Sequence, residues 1–321
     1  METAIVTTHP FGNNSDKPIK AIEAIVDKVI YNPYKRKMTT EEHAEFLLQT
    51  KPNYIIAGTE AYNENNLSLC DNLKIISRVG IGIDAIDLDE CKKRGIVVCN
   101  TPDAMSNAVA ELVILQTLNM LRKVQNVSTG MIGRGEWNRY VGRELSGCLV
   151  GIIGFGRIGK LVYNKIGSLT DNKILINDIE PKALIETIQA VPSSLNDIYA
   201  KCDIITIHIP LRDQKVNNYH FIGKKELEMM KPDVRLLNLS RGGIINEDDL
   251  YAWLKENKKA CAAIDTFEKE VYTGKLKSLG NAYLTPHLGS CTLQARDAME
   301  MGAVNNLERF ILNYDIKDRV V

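Results

Sequence analysis

Five histidines, His9, His43, His208, His220 and His287, are the side chains here that can exchange a proton near neutrality without a large pKa shift. One of them, His287, lies in TPHLGSCT (285–292), directly after Pro286 and four residues before Cys291. General acid/base, base of a Cys–His nucleophilic pair, metal ligand and plain turn residue are its four readings. The seven cysteines (70, 91, 99, 148, 202, 261 and 291) include no CxxC and no Cys/His cluster at zinc-ligand spacing, which argues against a metal. A nucleophilic pair requires 287–291 to be helical, and also an oxyanion hole and a third group to orient the base. Cys291 reads more simply as a small buried residue at the start of a helix.

A second group of residues could bind a ligand. CLVGIIGFGRIGKLV contains Gly154-Phe155-Gly156-Arg157-Ile158-Gly159, a full G-x-G-x-x-G between an apolar strand pattern and an amphipathic helix pattern. Gly154 permits a tight turn, Gly156 lets the backbone approach a pyrophosphate, and Gly159 lets helix and strand pack closely. The helix N-terminus then offers unpaired N–H groups and a partial positive charge to phosphates. Nineteen residues after Gly159, KILIND ends in Asp178, placed to accept hydrogen bonds from an adenosine ribose. Ile179 and Glu180 follow, with no arginine to neutralise a 2′-phosphate, so NAD is expected rather than NADP.

An NAD site implies hydride transfer, and oxidising an alcohol also requires a base for the hydroxyl proton. A carboxylate beside an imidazole orients it and stabilises its protonated form. If the substrate is a 2-hydroxy acid, an arginine suits bidentate binding of its carboxylate. LLNLSRGGIINEDDL places Arg241 just past a strand, AAIDTFEKEV places Asp265, Glu268 and Glu270 past the next, and YLTPHLGS places His287 past the last. In open α/β sheets ligands bind outside those strand ends.

The elements that must position these residues alternate along the chain. AIVTT, KVIYN, YIIAG, KIISRVG and IVVCNT read as strands in the first hundred residues, and CLVGIIG, KILIND, DIITIHI, VRLLNLS and ACAAIDTF in the second half. Their near-continuous apolar runs suit parallel sheets covered by helices on both faces. A helical pattern from about 103 to 124, with Ala108, Val109, Leu112, Leu115, Leu118 and Leu121 on one broad apolar face, is expected to join two α/β domains. A last helix, roughly 293–314, could return to the first. At 321 residues, 45% hydrophobic and 25% charged, the chain has the length of two domains and an ordinary globular composition. Forty basic residues balance forty acidic ones, giving no electrostatic reason to expect nucleic acid or an anionic membrane. METAIVTTHPFG lacks the features of a signal peptide, and AVAELVILQTLNML is too short to span a bilayer. A cytoplasmic location with reduced thiols is expected.

These motifs, in order, resemble the D-isomer-specific 2-hydroxyacid dehydrogenases, and most closely the phosphoglycerate dehydrogenase branch. The likeness runs from SRVGIGIDAIDL and NTPDAMSNAVAEL through GIIGFGRIG, HIPL, LLNLSRGGIINEDDL and AAIDTFEKE to TPHLGS. It implies that Arg241 binds the substrate carboxylate and carbonyl and that Glu270 pairs with an acid/base His287. Glu268, in the same turn, is the alternative partner; spacing favours Glu270. Asp265 would hold the nicotinamide carboxamide, and His208 and Pro210 would line the cofactor groove. The backbone of Val79, Gly80 and Ile81 would grip the substrate carboxylate, and Arg78 matches a phosphate-contacting arginine. The implied fold is α/β with two doubly wound parallel sheets. A Rossmann NAD domain (101–290) is inserted into a flavodoxin-like substrate domain (1–100 plus 291–321), with the active site in the cleft. Homodimers through the NAD domain are usual in the family.

Arg78 favours 3-phosphoglycerate/3-phosphohydroxypyruvate as the substrate pair; glycerate/hydroxypyruvate, or another 2-keto acid, is the alternative. Asp103 and Met105 replace small residues after NTP, Cys291 stands where alanine is common, and RDQKVNNYHFIG is an unusual version of the segment after HIPL. The chain ends near residue 321, so feedback inhibition by serine through a C-terminal regulatory domain is not expected. A reading of another class is an NAD-responsive, non-enzymatic binding protein, since the family includes corepressors that keep the fold.

Overall fold

The computed structural model describes residues 2–180, 190–211 and 216–321, so the RDQK stretch after HIPL lies outside the described residues. The chain divides into two units, Met1–Met105 with Cys291–Val321, and Ser106–Ser290.

The first unit is a five-stranded parallel sheet. Its strands are β1 (Thr3–Val6), β2 (Lys28–Tyr31), β3 (Tyr54–Ala57), β4 (Ile75–Arg78) and β5 (Val97–Cys99), in the order β2-β1-β3-β4-β5. That is the flavodoxin-like doubly wound order. The central strands read TAIV, YIIA and IISR because helices cover both faces of the sheet, leaving no solvent side to demand alternation. α1 (Lys17–Ile25), α2 (Thr40–Thr50), α3 (Glu64–Leu67) and α4 (Leu88–Lys93) make the crossovers. α2 starts at a reciprocal cap: Thr39 Oγ1 accepts the Glu42 N–H, and the Glu42 carboxylate accepts the Thr39 N–H. Residues 101–105 stay with this unit: the Gly80 amide donates to Thr101 Oγ1 at 2.7 Å, and the Thr101 amide donates to the Gly80 carbonyl at 3.1 Å.

The second unit opens with α5 (Ser106–Arg122) and α6 (Val124–Arg134). The single helix expected to about 124 breaks at Lys123, which takes φ +51°. Its buried face also differs from the expected leucine stripe. Val109, Val113, Gln116, Thr117 and Met120 are buried, whereas Leu115 and Leu118 are exposed. α5 packs on α7 (Arg157–Gly167) and against two strands, β10 (Arg235–Asn238) and β11 (Cys261–Ile264). This contact selects the face that can approach closely, and the buried Thr117 hydroxyl is satisfied by the Val113 carbonyl at 2.7 Å.

Among the described residues the sheet of this unit has seven parallel strands, β12-β11-β10-β9-β6-β7-β8. The remaining strands are β6 (Val150–Ile153), β7 (Ile174–Asn177), β8 (Ala190–Pro192), β9 (Ile204–Ile207) and β12 (Ala282–Leu284). This is the Rossmann order with one added edge strand, and the order reverses between β6 and β9. β8, only three residues long and partly exposed, was not among the expected strands. α8 (Leu195–Lys201), α9 (Lys224–Met229) and α10 (Glu247–Glu256) complete the crossovers.

The last helix, α11 (Leu293–Ile311), belongs to the first unit, where the Ala303 carbonyl accepts the Ser77 hydroxyl at 2.8 Å. Past α11 the chain reaches the β5 edge: Val320 N–H donates to Val98 O at 2.7 Å. This covers an edge strand that would otherwise expose unpaired backbone groups. Residues 285–291 are irregular rather than helical, and Cys291 is exposed, correcting the expectation that it is buried. The reason is local: Thr292 caps α11 by accepting the Ala295 N–H, which leaves Cys291 outside the helix.

Candidate functional site

The glycine-rich turn joins β6 to α7 at the point where strand order reverses. Gly154 has φ +93°, and a Cβ there would stand 2.5 Å from the His208 carbonyl oxygen. A Cβ on Gly159 would stand 2.1 Å from the Gly154 carbonyl, so both positions are held to glycine by the protein itself. Gly156 is different. Its φ of −74° suits any residue, and a Cβ would meet nothing within 4 Å. The open space lies at the N-terminus of α7, where the amides of Gly156, Arg157 and Ile158 have no helical acceptor. A pyrophosphate fits this cradle. Phe155 is buried, edge-on to Tyr163 at 5.6 Å, which anchors the turn from below.

Asp178, at the end of β7, accepts the Phe155 N–H through Oδ2 at 2.5 Å and the Glu180 N–H through Oδ1 at 2.8 Å. The carboxylate is thus fixed beside the turn with lone pairs remaining on both oxygens. The next residue, Ile179, is an exposed apolar side chain. Across the strand reversal, His208 Nε2 lies 2.9 Å from Thr206 Oγ1, and burial pushes its pKa down to about 3, so the ring is neutral. Pro210 is exposed, and its carbonyl accepts the Asn218 amide at 2.7 Å.

Arg241, Glu270 and His287 follow β10, β11 and β12, three adjacent strands, on the same sheet edge. His287 Nδ1 is 2.8 Å from Glu270 Oε1, and both side chains are a little under half exposed. Arg241 donates from Nη1 to the Ser240 carbonyl at 2.8 Å, and its own carbonyl accepts the Asn238 amide. Gly242 is required by a close approach: a Cβ would lie 1.9 Å from the Phe267 carbonyl oxygen, so the Arg241 loop and the loop after β11 touch backbone to backbone.

Asp265 builds the loop that carries His287. It is 1% exposed; Oδ1 accepts the Thr285 hydroxyl at 2.6 Å and the Leu288 N–H at 2.7 Å, while Oδ2 accepts the Gly289 N–H at 2.8 Å. Its carbonyl accepts the His287 N–H at 2.9 Å. His287 has φ +53°, a left-handed conformation that costs a non-glycine residue about 1–2 kcal/mol. The bonds from Asp265 on either side of it offset that cost.

Glu268 does not join His287. Its Oε1 lies 2.8 Å from His220 Nε2, and its Oε2 accepts the Tyr219 hydroxyl at 3.1 Å. In the first unit, Val79 donates its N–H to Ala57 O at 2.9 Å and Gly80 to Thr101 Oγ1, while the Ile81 carbonyl accepts the Asn100 amide. Two of the three amides expected to grip a carboxylate therefore already donate inside the unit. Arg78, at the end of β4, donates from Nη1 to the Val79 carbonyl. Sequence reasoning missed Thr101, Thr285 and His220, all of which act on neighbours remote in sequence. Among the described residues no cluster of three or more His, Cys, Asp or Glu is arranged to hold a metal, and no helix is long and apolar enough to cross a membrane.

Comparison with known proteins places this architecture. Residues 114–289 match the family described as D-isomer specific 2-hydroxyacid dehydrogenase, NAD binding domain. The chain is similar to D-3-phosphoglycerate dehydrogenase of Methanocaldococcus jannaschii, 33% identical over 288 residues, 88% of this chain and 54% of that protein. It thus spans about half the length of that relative. It is also similar to glyoxylate reductase of Thermococcus litoralis, 34% identical over 262 residues, 78% of each chain. Among solved structures, NAD+-bound 3-phosphoglycerate dehydrogenase of Entamoeba histolytica superposes with a TM-score of 0.79 at 26% identity, covering 100% of this chain and 98% of that one. With more than half of its length matched and a relative 34% identical over 78% of each chain, the chain belongs to the D-isomer specific 2-hydroxyacid dehydrogenase family and carries that family's NAD-binding domain.

Proposed function

We propose that this chain transfers a hydride between C2 of a D-2-hydroxy acid and NAD. The observation that carries the reading is the 2.8 Å contact of His287 Nδ1 with Glu270 Oε1, one strand from Arg241 and in the same unit as the glycine cradle. NAD, when bound, supplies the hydride acceptor at nicotinamide C4. The α7 N-terminus holds the pyrophosphate and Asp178 the adenosine ribose. Arg241 binds the substrate carboxylate and polarises the C2 oxygen. His287 takes the hydroxyl proton on Nε2, the nitrogen opposite its Glu270 bond, and returns it in the reverse direction; Glu270 orients the ring. The placement of Asp265 supports a loop-building role in preference to the expected carboxamide contact. In the first unit, the Val79–Ile81 turn lies at a strand end where ligands of open sheets bind.

For the substrate, Arg78 beside that turn supports 3-phosphoglycerate/3-phosphohydroxypyruvate. Similarity to glyoxylate reductases over three quarters of their length supports a small unphosphorylated 2-keto acid as the second reading. NADH oxidation with 3-phosphohydroxypyruvate, hydroxypyruvate, glyoxylate and pyruvate separates them. Arg78→Ala should selectively penalise the phosphorylated compound. His287→Ala should lower turnover roughly a hundredfold or more with NAD affinity nearly intact. Full activity of that variant removes the assignment, and tight NADH binding without turnover on any acid would favour a sensor. A homodimer through the second unit is supported by exposed apolar side chains at Leu115, Ile132, Trp137 and Val141; a monomeric mass in sedimentation equilibrium would remove it. Six buried thiols accord with a reducing, cytoplasmic compartment, which fractionation of the source cells would test.

A further inference from the structure

The second unit contains another histidine–carboxylate pair, His220 with Glu268, which the proposed chemistry does not use. Its protonation pattern is set by Asn246. Asn246 Oδ1 accepts the Asp248 and Asp249 amides at the start of α10, at 3.1 and 3.0 Å, so the other end of its side chain, Nδ2, is the one facing His220 Nδ1 at 3.1 Å. His220 Nδ1 must therefore accept, and Nε2 carries the proton that is donated to Glu268 at 2.8 Å. The Tyr219 ring stacks on the imidazole, with centroids 3.9 Å apart and planes at 20°. The His220 backbone N–H donates to the Gly243 carbonyl at 2.7 Å.

One residue thus ties three loops together. His220 belongs to the loop after β9, Gly243 and Asn246 to the loop that carries Arg241, and Glu268 to the loop that carries Glu270. Glu268 is held a third time through its own N–H, which donates to Glu247 Oε1 at 2.7 Å. On the far side of Glu270, Tyr272 stacks on Phe267 at 4.1 Å, and its hydroxyl accepts the Leu276 N–H at 3.2 Å. Glu270 itself, 45% exposed, sits between these two anchors. A half-exposed glutamate has several rotamers and loses entropy when it is fixed against a partner. Holding its backbone still reduces what the Glu270–His287 bond must order.

We propose that His220 is a positioning residue: through Glu268 it fixes the loop on which Glu270 meets His287, two residues further on. The inference rests on the dehydrogenase reading above and deepens it. It assigns no chemistry to His220, which need touch neither substrate nor cofactor.

The test uses the full chain and four variants, His220→Ala, His220→Gln, Glu270→Gln and the double variant His220→Ala/Glu270→Gln. A glutamine amide can place an N–H near the position of His220 Nε2 and so keep the bond to Glu268. Turnover and KM are measured by NADH oxidation with hydroxypyruvate and 3-phosphohydroxypyruvate, and NADH affinity by fluorescence titration. His220→Ala should lower kcat about tenfold through displacement of a catalytic group, with KM and NADH affinity little changed. His220→Gln should restore most of the loss. In the Glu270→Gln background, His220→Ala should cost nothing further, because the group it positions is already gone. Wild-type kcat in His220→Ala, equal losses in the Ala and Gln variants, or the same loss in both backgrounds would each overturn the proposal. Failure of the underlying reading looks different: it appears as an active His287→Ala variant or as no turnover by the unmodified chain.

Discussion

Replacing Asp265 by asparagine changes one oxygen to an amide nitrogen and almost nothing in volume. In the native loop Oδ1 serves two donors, Thr285 Oγ1 and the Leu288 N–H, and Oδ2 serves one, the Gly289 N–H. An asparagine keeps most of these bonds by leaving its oxygen at the Oδ1 position. The amide nitrogen then faces the Gly289 N–H, originally 2.8 Å from Oδ2, donor against donor. Losing that charge-assisted bond and stranding its donor costs about 2–4 kcal/mol. A neutral amide is easier to bury than a carboxylate at a site 1% exposed, which offsets part of it. A net loss of about 2–3 kcal/mol corresponds to a fall in melting temperature of roughly 4–12 °C for a unit of this size.

Catalysis should suffer with stability, because the Gly289 contact fixes the strained His287 backbone from its C-terminal side. Displacing the imidazole by a fraction of an ångström should lower kcat roughly ten- to a hundredfold. Differential scanning calorimetry reads the first effect, NADH oxidation with hydroxypyruvate the second, and fluorescence titration the NADH affinity. The reasoning fails if Asp265→Asn melts like the native chain while NADH affinity drops. That pattern would mean the carboxylate serves the nicotinamide rather than the loop.

Two further predictions come from side-chain space and burial. Gly156→Ala should melt within about 0.5 kcal/mol of the native chain yet bind NADH at least roughly tenfold more weakly, because its new methyl occupies the phosphate cradle. Gly154→Ala should instead destabilise by about 2–4 kcal/mol, from positive φ and collision with the His208 carbonyl; native NADH binding by Gly156→Ala would contradict the cradle. In the first unit, His43 is 1% exposed, edge-on to Tyr62 at 5.0 Å, and burial pushes its pKa from 6.5 down to about 4. The unfolded chain then binds a proton that the folded chain refuses. His43 therefore costs no stability above its ordinary value and up to about 3 kcal/mol as the pH falls to about 4. Urea titrations across that window should show His43→Leu losing less stability toward acid than the native chain, and parallel slopes would refute this account.

Much of the architecture is legible in local sequence. Continuous apolar runs such as YIIA and VGII announce strands covered on both faces, because no solvent side demands alternation. Gly159 can be recognised because its constraint, the Gly154 carbonyl that leaves no room for a Cβ, is met within six residues of chain, and Gly154 because of its own positive φ, although the carbonyl it would strike belongs to His208, just past β9. The sequence by itself therefore determined the α/β class, the dinucleotide turn and the strand ends that carry Arg241, Glu270 and His287. The family resemblance favoured Glu270 over Glu268 as the partner of His287, but that Glu268 meets His220 instead was decided only by tertiary structure. Glu268 and Glu270 are two residues apart, and their partners, His220 and His287, come from loops after β9 and β12, on either side of β11 in the sheet. The outward Leu115 and Leu118 and the engagement of Asp265 by the loop after β12 have the same origin. Each depends on which element lies alongside, a property of the assembled sheet that no local period or spacing encodes.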